Sequence, residues 1–172
     1  YVYGMTTIFL TAIPLSLLGE FNSFLFVIAI FSFYLAFAGY RQGRDRSGAR
    51  EQIDKVLGLF ITATGILFYA MAVGAYLIED STWIPSLLFG TIALIFGIND
   101  FRRMKILDRP NFYDRTNLHL NLMLGGTIAT TTAFIVTIEP FSTFWLNWVA
   151  PTIVVTPVIG YFSKRELAKK IN

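Results

Sequence analysis

Residues 54–80 read DKVLGLFITATGILFYAMAVGAYLIED, and this stretch decides the fold class. From Val56 to Ile78 it carries no charged residue, and it is about as long as the ~20 residues that a membrane-spanning helix needs. A basic residue, Lys55, lies at one end, and the acidic Glu79 and Asp80 lie at the other. The stretch therefore predicts a transmembrane helix with both ends in water.

Five further stretches of the chain have the same character. They run from Val2 to Leu18, Phe21 to Tyr40, Trp83 to Ile98, Leu118 to Ile138 and Phe144 to Phe162. With 55% apolar residues and only 15% charged residues, the composition also exceeds what a soluble domain carries. We predict an all-α polytopic transmembrane helix bundle, in which residues 1–172 form one integral membrane domain of six spans arranged as three hairpins.

The basic residues indicate the orientation of these spans. All 14 Lys and Arg residues fall into three clusters, each after every second apolar stretch. The clusters are Arg41, Arg44, Arg46, Arg50 and Lys55, then Arg102, Arg103, Lys105, Arg109 and Arg115, then Lys164, Arg165, Lys169 and Lys170. The charged residues of the other three connections are all acidic, namely Glu20, Glu79, Asp80 and Glu139. The positive-inside rule places the basic loops, and with them both visible ends of the chain, on the cytoplasmic side.

Composition excludes two classes of function. The pI of about 9.3 does not indicate nucleic-acid binding, because the basic residues lie in loops and alternate with acidic ones, namely Asp45, Glu51, Asp54, Asp108 and Asp114. The absence of cysteine excludes disulfides, thiolate catalysis and cysteine-ligated metals. The lipid bilayer is the main expected partner.

The start of the sequence and the tryptophans add two expectations. The chain begins at Tyr1, directly against an apolar run and without the basic region of a signal peptide, so we expect an upstream N-terminal segment to be missing. Trp83, Trp145 and Trp148 all lie near the outward ends of predicted spans. We expect them to anchor these ends in the membrane interface.

The fifth stretch is the least ordinary of the six. At 100° per residue, His119, Gly126, Thr130, Ala133 and Thr137 fall on one narrow face of a helix, with Met123 and Thr127 beside it. One interpretation is close packing against another helix through Gly125, Gly126 and Ala133. The other is a cavity that opens at His119.

His119 is the only histidine and lies near the expected cytoplasmic end of this helix. It can carry protons near neutral pH, or it can bond to a loop carboxylate at the interface. Haem ligation is a third interpretation, with Met123 one turn away. Because two ligands on one helix face cannot take opposite axial positions, the second ligand would come from elsewhere, for example Met5 or Met71.

The pair Asn99-Asp100 is similar to the opening of the aspartate-rich Mg²⁺-diphosphate motif of membrane prenyltransferases. Only the opening matches, because Arg103 and Leu107 occupy the places where further aspartates are needed to share the metals. We therefore predict no metal site here, and Asp100 can instead pair with a neighbouring base.

The fifth and sixth stretches carry a resemblance. The pattern His119-x-x-x-Met123-x-Gly-Gly-x-Ile-Ala-x-x-Thr132-Ala133-Phe134, with Trp148-Val-Ala-Pro151-Thr152 and Pro157-x-Ile-Gly-Tyr161 after it, resembles a family of uncharacterised bacterial membrane proteins. Tyr1-Val2-Tyr3-Gly4-Met5, Thr11-Ala12-Ile13-Pro14 and Gly39-Tyr40-Arg41 are similar to it as well. The resemblance implies a multi-helix protein of the bacterial inner membrane, and it implies no catalytic residue.

Two classes of function follow from these observations. We expect a non-enzymatic membrane subunit or scaffold, packed against other membrane protein subunits of a larger complex. The alternative is a carrier or channel for a small solute or ion, with a cavity bordered by His119, Thr127, Thr130, Asn99 and Arg41. A haem- or lipid-handling membrane enzyme is the third possibility, for which the residues form no complete motif.

Overall fold

The structure, a computed structural model, describes residues 1–18, 23–44, 52–105 and 112–171. In these ranges it contains six α-helices and no strand, which confirms the all-α prediction for the described residues. The helices are α1 (Val2–Leu18), α2 (Ser23–Arg44), α3 (Gln52–Leu77), α4 (Trp83–Lys105), α5 (Phe112–Ile138) and α6 (Phe144–Ile171). Of the charged residues discussed above, seven lie outside the described residues, namely Glu20, Asp45, Arg46, Arg50, Glu51, Asp108 and Arg109.

Five of the six helices are long and apolar enough to cross a membrane. The qualifying segments are Phe24–Arg44, Gln52–Leu77, Trp83–Arg103, Asp114–Ile138 and Phe144–Glu166. The remaining helix, α1, has 17 residues and is therefore about 25 Å long, against a hydrocarbon core of about 30 Å. Six spans were predicted, and five helices meet the requirement by length and composition.

The helices continue beyond the apolar stretches at the ends that carry the basic residues. α2 reaches Arg44, α4 reaches Lys105 and α6 reaches Ile171, while α3 already begins at Gln52 and α5 at Phe112. Lys, Arg and Gln continue a helix in water nearly as well as apolar residues do, so hydropathy alone predicts these helices too short.

The turn between α3 and α4 is built by the two acidic residues at the end of the α3 apolar run. Glu79 has a left-handed backbone with a φ of 58°, and its N–H donates to Tyr76 O at 3.2 Å while the Asp80 N–H donates to Ala75 O at 2.9 Å. This bonding pattern ends a helix as a Schellman motif. The Asp80 carboxylate then accepts a hydrogen bond from the Thr82 N–H at 3.0 Å, just before α4 begins.

α2 is the central helix of the bundle, and it packs against α1, α3 and α5. α3 also packs on α4, and α5 packs on α6. The side chains of Val27, Ile28, Phe31, Tyr34 and Leu35 are all at most 3% exposed, and Ser32 and Ala36 on the adjoining side are at most 2% exposed, so α2 is buried over more than half of its circumference. A helix that is apolar all round and buried is typical of the core of a large protein or a membrane bundle.

Aromatic rings fill the interior at the end opposite the basic clusters. Phe24 and Phe31 of α2 make edge-on contacts with Phe68 of α3 and Phe89 of α4, at centroid distances of 5.7–6.4 Å. Trp148 of α6 adds an edge-on contact to Phe24 at 5.0 Å. These geometries are favourable for aromatic pairs, and they hold α3, α4 and α6 around one end of α2.

Candidate functional site

Four polar side chains meet near the basic ends of α2, α3 and α4, and we call them the polar cluster: Tyr34, Arg41, Asp54 and Asp100. The Tyr34 hydroxyl donates to Asp100 Oδ2 at 2.6 Å. Arg41 donates through both its Nε and one terminal nitrogen to the two oxygens of Asp54, each at 3.3 Å. Their side chains are 18% and 13% exposed, so this ion pair is largely removed from water.

Pairing is what allows these charges to lie so deep in the bundle. A charged group inside a transmembrane helix is costly unless it pairs, and an unpaired polar group in such surroundings costs several kcal/mol. Here each acid has a donor from α2, so the polar cluster ties α2 to α3 through Asp54 and to α4 through Asp100. Asn99, next to Asp100, is half-buried.

A cavity of about 10 Å³ lies against the polar cluster, lined by Ala38, Gln42, Asp54, Leu57, Asp100, Leu118 and Leu122. A volume of this size holds about one water molecule. Within the part of the chain that the structure describes, no group of three or more His, Asp or Glu side chains is arranged to hold a metal ion. Asp108, considered with the Asn99-Asp100 motif, lies outside the described residues.

His119 contacts α2 on its α5-facing side. Its Nδ1 lies 2.7 Å from Gly39 O, and because a carbonyl oxygen only accepts, a neutral ring carries its proton on Nδ1. Gly43 makes room for the ring, since a Cβ added there would lie 2.7 Å from His119 Nδ1. The Nδ1 atom thus bonds to the α2 backbone, and a bond from the ring to a loop carboxylate stays a prediction.

Met123 and the two glycines of α5 also face α2. A Cβ on Gly39 would lie 3.2 Å from Met123 Cγ, and one on Gly126 would lie 3.4 Å from Leu35 Cβ. Gly125 has more room, with Leu35 Cδ1 at 3.8 Å from such a Cβ. A Cβ on Gly126 would also lie 2.7 Å from Tyr1 Oη, so the glycines of α5 pack against α2 and against the first residue of the same chain.

Thr127 and Thr130 use their hydroxyls within α5. Thr127 donates to Met123 O at 3.0 Å, and Thr130 donates to Gly126 O at 2.9 Å. The Thr130 hydroxyl also lies 3.5 Å from Met5 Sδ of α1. Ser and Thr hydroxyls inside a helix commonly bond to the carbonyl four residues earlier in this way.

A larger cleft lies between α1, α2 and α5, with a volume of about 410 Å³. Thr130 and Ala133 line it from α5, Ser32 and Ala29 from α2, and Met5 from α1. His119, Met123 and Thr127 are absent from its lining. Thr130 lies 11 residues beyond His119, about 16 Å along the helix.

The structure therefore divides the predicted cavity residues among three places. Arg41, Asp100 and the neighbouring Asn99 belong to the polar-cluster region, whereas Thr130 lines the cleft. His119 and Met123 lie in the contact between α5 and α2. That any of these residues binds a ligand stays a prediction.

The three tryptophans have different surroundings. Trp145 is 59% exposed at the start of α6, and Trp83 is the first residue of α4, where its ring contacts Tyr76. Trp148 is half-buried, and its Nε1 has no hydrogen-bond partner among the described residues. Trp148 thus packs against the bundle core, and the role of the three tryptophans as interface anchors stays a prediction.

Several important residues were not singled out by their sequence pattern. Tyr34 lies in an apolar stretch, and only tertiary structure brings it to Asp100, 66 positions away. Asn147 is 4% exposed and bonds both the N–H and the carbonyl of Phe141, which fixes the turn before α6. A polar residue within an apolar run is a signal that could have indicated both.

Comparison with known proteins finds no matching family model, no matching curated protein and no matching solved structure.

Proposed function

We propose that this chain is a bacterial inner-membrane protein that acts as a non-enzymatic subunit or scaffold within a larger membrane complex. Its six helices cross the membrane as three hairpins, with both ends of the described chain on the cytoplasmic side. The proposal includes membership of the family of uncharacterised bacterial membrane proteins that α5 and α6 resemble.

The exposed apolar surface supports the membrane part of the proposal. Large apolar side chains are more than half exposed on helices all around α2, among them Leu10, Leu59, Ile66, Leu88, Ile95, Ile153 and Val154. In water, such a surface would make the protein prone to aggregation. In a bilayer the same surface contacts lipid tails, which are as apolar as these side chains. The exposed basic residues Arg44, Arg102, Lys164 and Arg165 lie at helix ends, as the positive-inside rule requires for a cytoplasmic face.

We include α1 among the spans although it is the shortest helix. It packs along α2, and its Phe9 stacks on Phe33 at a centroid distance of 4.7 Å. A helix about 5 Å shorter than the hydrocarbon core is accommodated by modest local thinning of the bilayer.

The observation that carries the subunit role is the outward face of α3. Ala63, Ala70 and Gly74 are all exposed on it, and a Cβ added at Gly74 would meet nothing within 4 Å. Ala70 and Gly74 are four residues apart and so lie above one another on the helix surface. Small residues at this spacing let a second helix approach closely in a membrane, where packing drives association.

The test compares two enlargements on this helix. Gly74→Leu fills the open space beside Gly74. Val73→Leu instead enlarges a neighbouring side chain that is 59% exposed at the edge of the same face. The full-length protein is extracted from its own membranes in mild detergent and analysed by native mass spectrometry. We expect the wild type and Val73→Leu to retain a protein partner. The fraction of Gly74→Leu that carries this partner should be at least ten times lower.

A wild type that appears only as a bare monomer would contradict the subunit role. Retention of the partner by Gly74→Leu would exclude this face of α3 as its binding site.

A further inference from the structure

The cleft between α1, α2 and α5 contains a buried hydroxyl that, like Thr132 Oγ1 outside the cleft, has no hydrogen-bond partner among the described residues. Ser32 is 2% exposed, lines the cleft, and its Oγ has no hydrogen-bond partner among the described residues. By contrast, Thr62, Thr64, Ser86, Thr91, Thr127, Thr130 and Thr137 each donate to the carbonyl four residues before them. A buried hydroxyl without a partner is destabilising, so its position calls for an explanation.

The size and lining of the cleft match a ligand site. Its volume of about 410 Å³ lies within the range of about 300–1,000 Å³ that is usual for small-molecule sites. The lining is mainly apolar, and besides Ser32 the polar side chains in it are Thr11, Thr130 and Thr137. Those three hydroxyls already donate to carbonyls of their own helices.

We propose that this cleft binds a neutral lipid from the bilayer and that the Ser32 hydroxyl donates a hydrogen bond to a carbonyl oxygen of that lipid. The apolar part of the ligand lies against Met5 and Ala12 of α1, Ala29 of α2 and Ala133 of α5. The inference rests on the membrane part of the proposed function and is independent of the subunit role.

The uncharged lining of the cleft and the depth of Ser32 in the span both disfavour a phospholipid as the ligand. Among the described residues, no Lys, Arg, His, Asp or Glu lines the cleft, so none of their side chains compensates a charged head group there. Ser32 lies eight residues from Phe24 and twelve from Arg44, or about 12 Å and 18 Å along the span. Phospholipid ester groups lie at the edge of a core about 30 Å thick, whereas Ser32 lies near its middle.

A lipophilic ketone that cross-links on illumination tests the site directly. The probe is 4-octylbenzophenone, added to the full chain in phospholipid nanodiscs, and the adducts are located by peptide mass spectrometry. We expect saturable labelling at Met5 and at residues 28–32, displaced by 2-decyl-1,4-benzoquinone but at least fivefold less effectively by decylbenzene, which has no carbonyl group.

Two substitutions separate the hydrogen bond from the shape of the cleft. Ser32→Ala should raise the half-saturating probe concentration about fivefold, in line with the loss of one hydrogen bond. Ser86→Ala removes another buried hydroxyl, outside the cleft, and should leave labelling unchanged. Ala12→Phe and Ala133→Phe should each abolish labelling at Met5 by filling the cleft from opposite sides.

The ligand site would be overturned by labelling spread evenly over the exposed faces of α3 and α4, by equal displacement with both competitors, or by an unchanged Ser32→Ala variant. Co-purification of phospholipid alone in the cleft would also overturn it. Failure of the chain to enter nanodiscs would instead contradict the membrane proposal, so the two failures are distinguishable.

Discussion

At the scale of single residues, the Tyr34 hydroxyl is the group whose removal should cost most stability for the smallest change in volume. The side chain is fully buried, and its hydroxyl donates to the Asp100 carboxylate at 2.6 Å. A hydrogen bond to a charged group contributes about 1.5–3 kcal/mol. We expect Tyr34→Phe to lower the melting temperature in detergent by roughly 5 °C, at about 2–4 °C per kcal/mol for a chain of this length.

The matched control is Tyr69→Phe. The Tyr69 hydroxyl bonds Thr91 Oγ1 at 2.9 Å at the surface, and Thr91 also donates to Leu87 O. Because no buried group loses its partner, this variant should melt within about 2 °C of the wild type. Equal shifts in melting temperature for the two variants would show that the bond to Asp100 contributes no more stability than the surface bond of Tyr69.

Some features of single residues on α5 follow from the sequence of that helix alone, and others depend on the helix that packs against it. The small polar face of α5 was visible in sequence, since it depends only on spacing of about 3.6 residues per turn. The partner of that face was not visible, because Gly39 and Gly43 meet His119 only after α2 and α5 pack. The Arg41–Asp54 pair likewise depends on how two helices are placed, although both residues were recognised as members of a charged loop region.

At the scale of helices, glycine spacing explains the close contact between α3 and α4. Gly58 and Gly65 on α3, and Gly90 and Gly97 on α4, are each seven residues apart and all buried. A Cβ added to Gly65 would lie 2.9 Å from Leu94 Cδ2, and one on Gly90 would lie 3.2 Å from Gly65 O. Such a spacing keeps small residues along one face of each helix, where the two backbones can approach.

Gly97→Val should therefore separate these helices. A side chain there would overlap Thr62 Oγ1, and overpacking of this kind costs about 1–3 kcal/mol or more. We expect the melting temperature in detergent to fall by roughly 5 °C. Gly160→Val is the same substitution on α6, where a Cβ would meet nothing within 4 Å, and it should change the melting temperature by less than about 2 °C. A similar shift in both would mean that the glycines act through helix propensity instead of packing.

At the scale of the whole molecule, hydropathy predicted which segments are helical, and it did not predict their arrangement. Neighbours in sequence, such as α3 and α4, could be expected to pack because the turn between them is short. The contact between α2 and α5, in contrast, joins helices that are far apart in sequence, and it makes α2 the centre of the bundle. Nothing in the periodicity of α2 alone distinguishes a helix buried by protein from one surrounded by lipid, since both are apolar all round.

The proposed topology of the whole chain can be tested with single cysteines, because the native sequence contains none. Asp80→Cys and Ser142→Cys lie at exposed turns opposite the basic ends, while Arg44→Cys and Arg102→Cys lie at exposed positions on the basic ends of α2 and α4. With the basic ends in the cytoplasm, a membrane-impermeant maleimide should modify the first pair in intact spheroplasts and the second pair only after permeabilisation. Modification of all four from the outside would exclude the hairpin arrangement, and the reverse pattern would exclude the orientation, because each pair reports one side of the same helices.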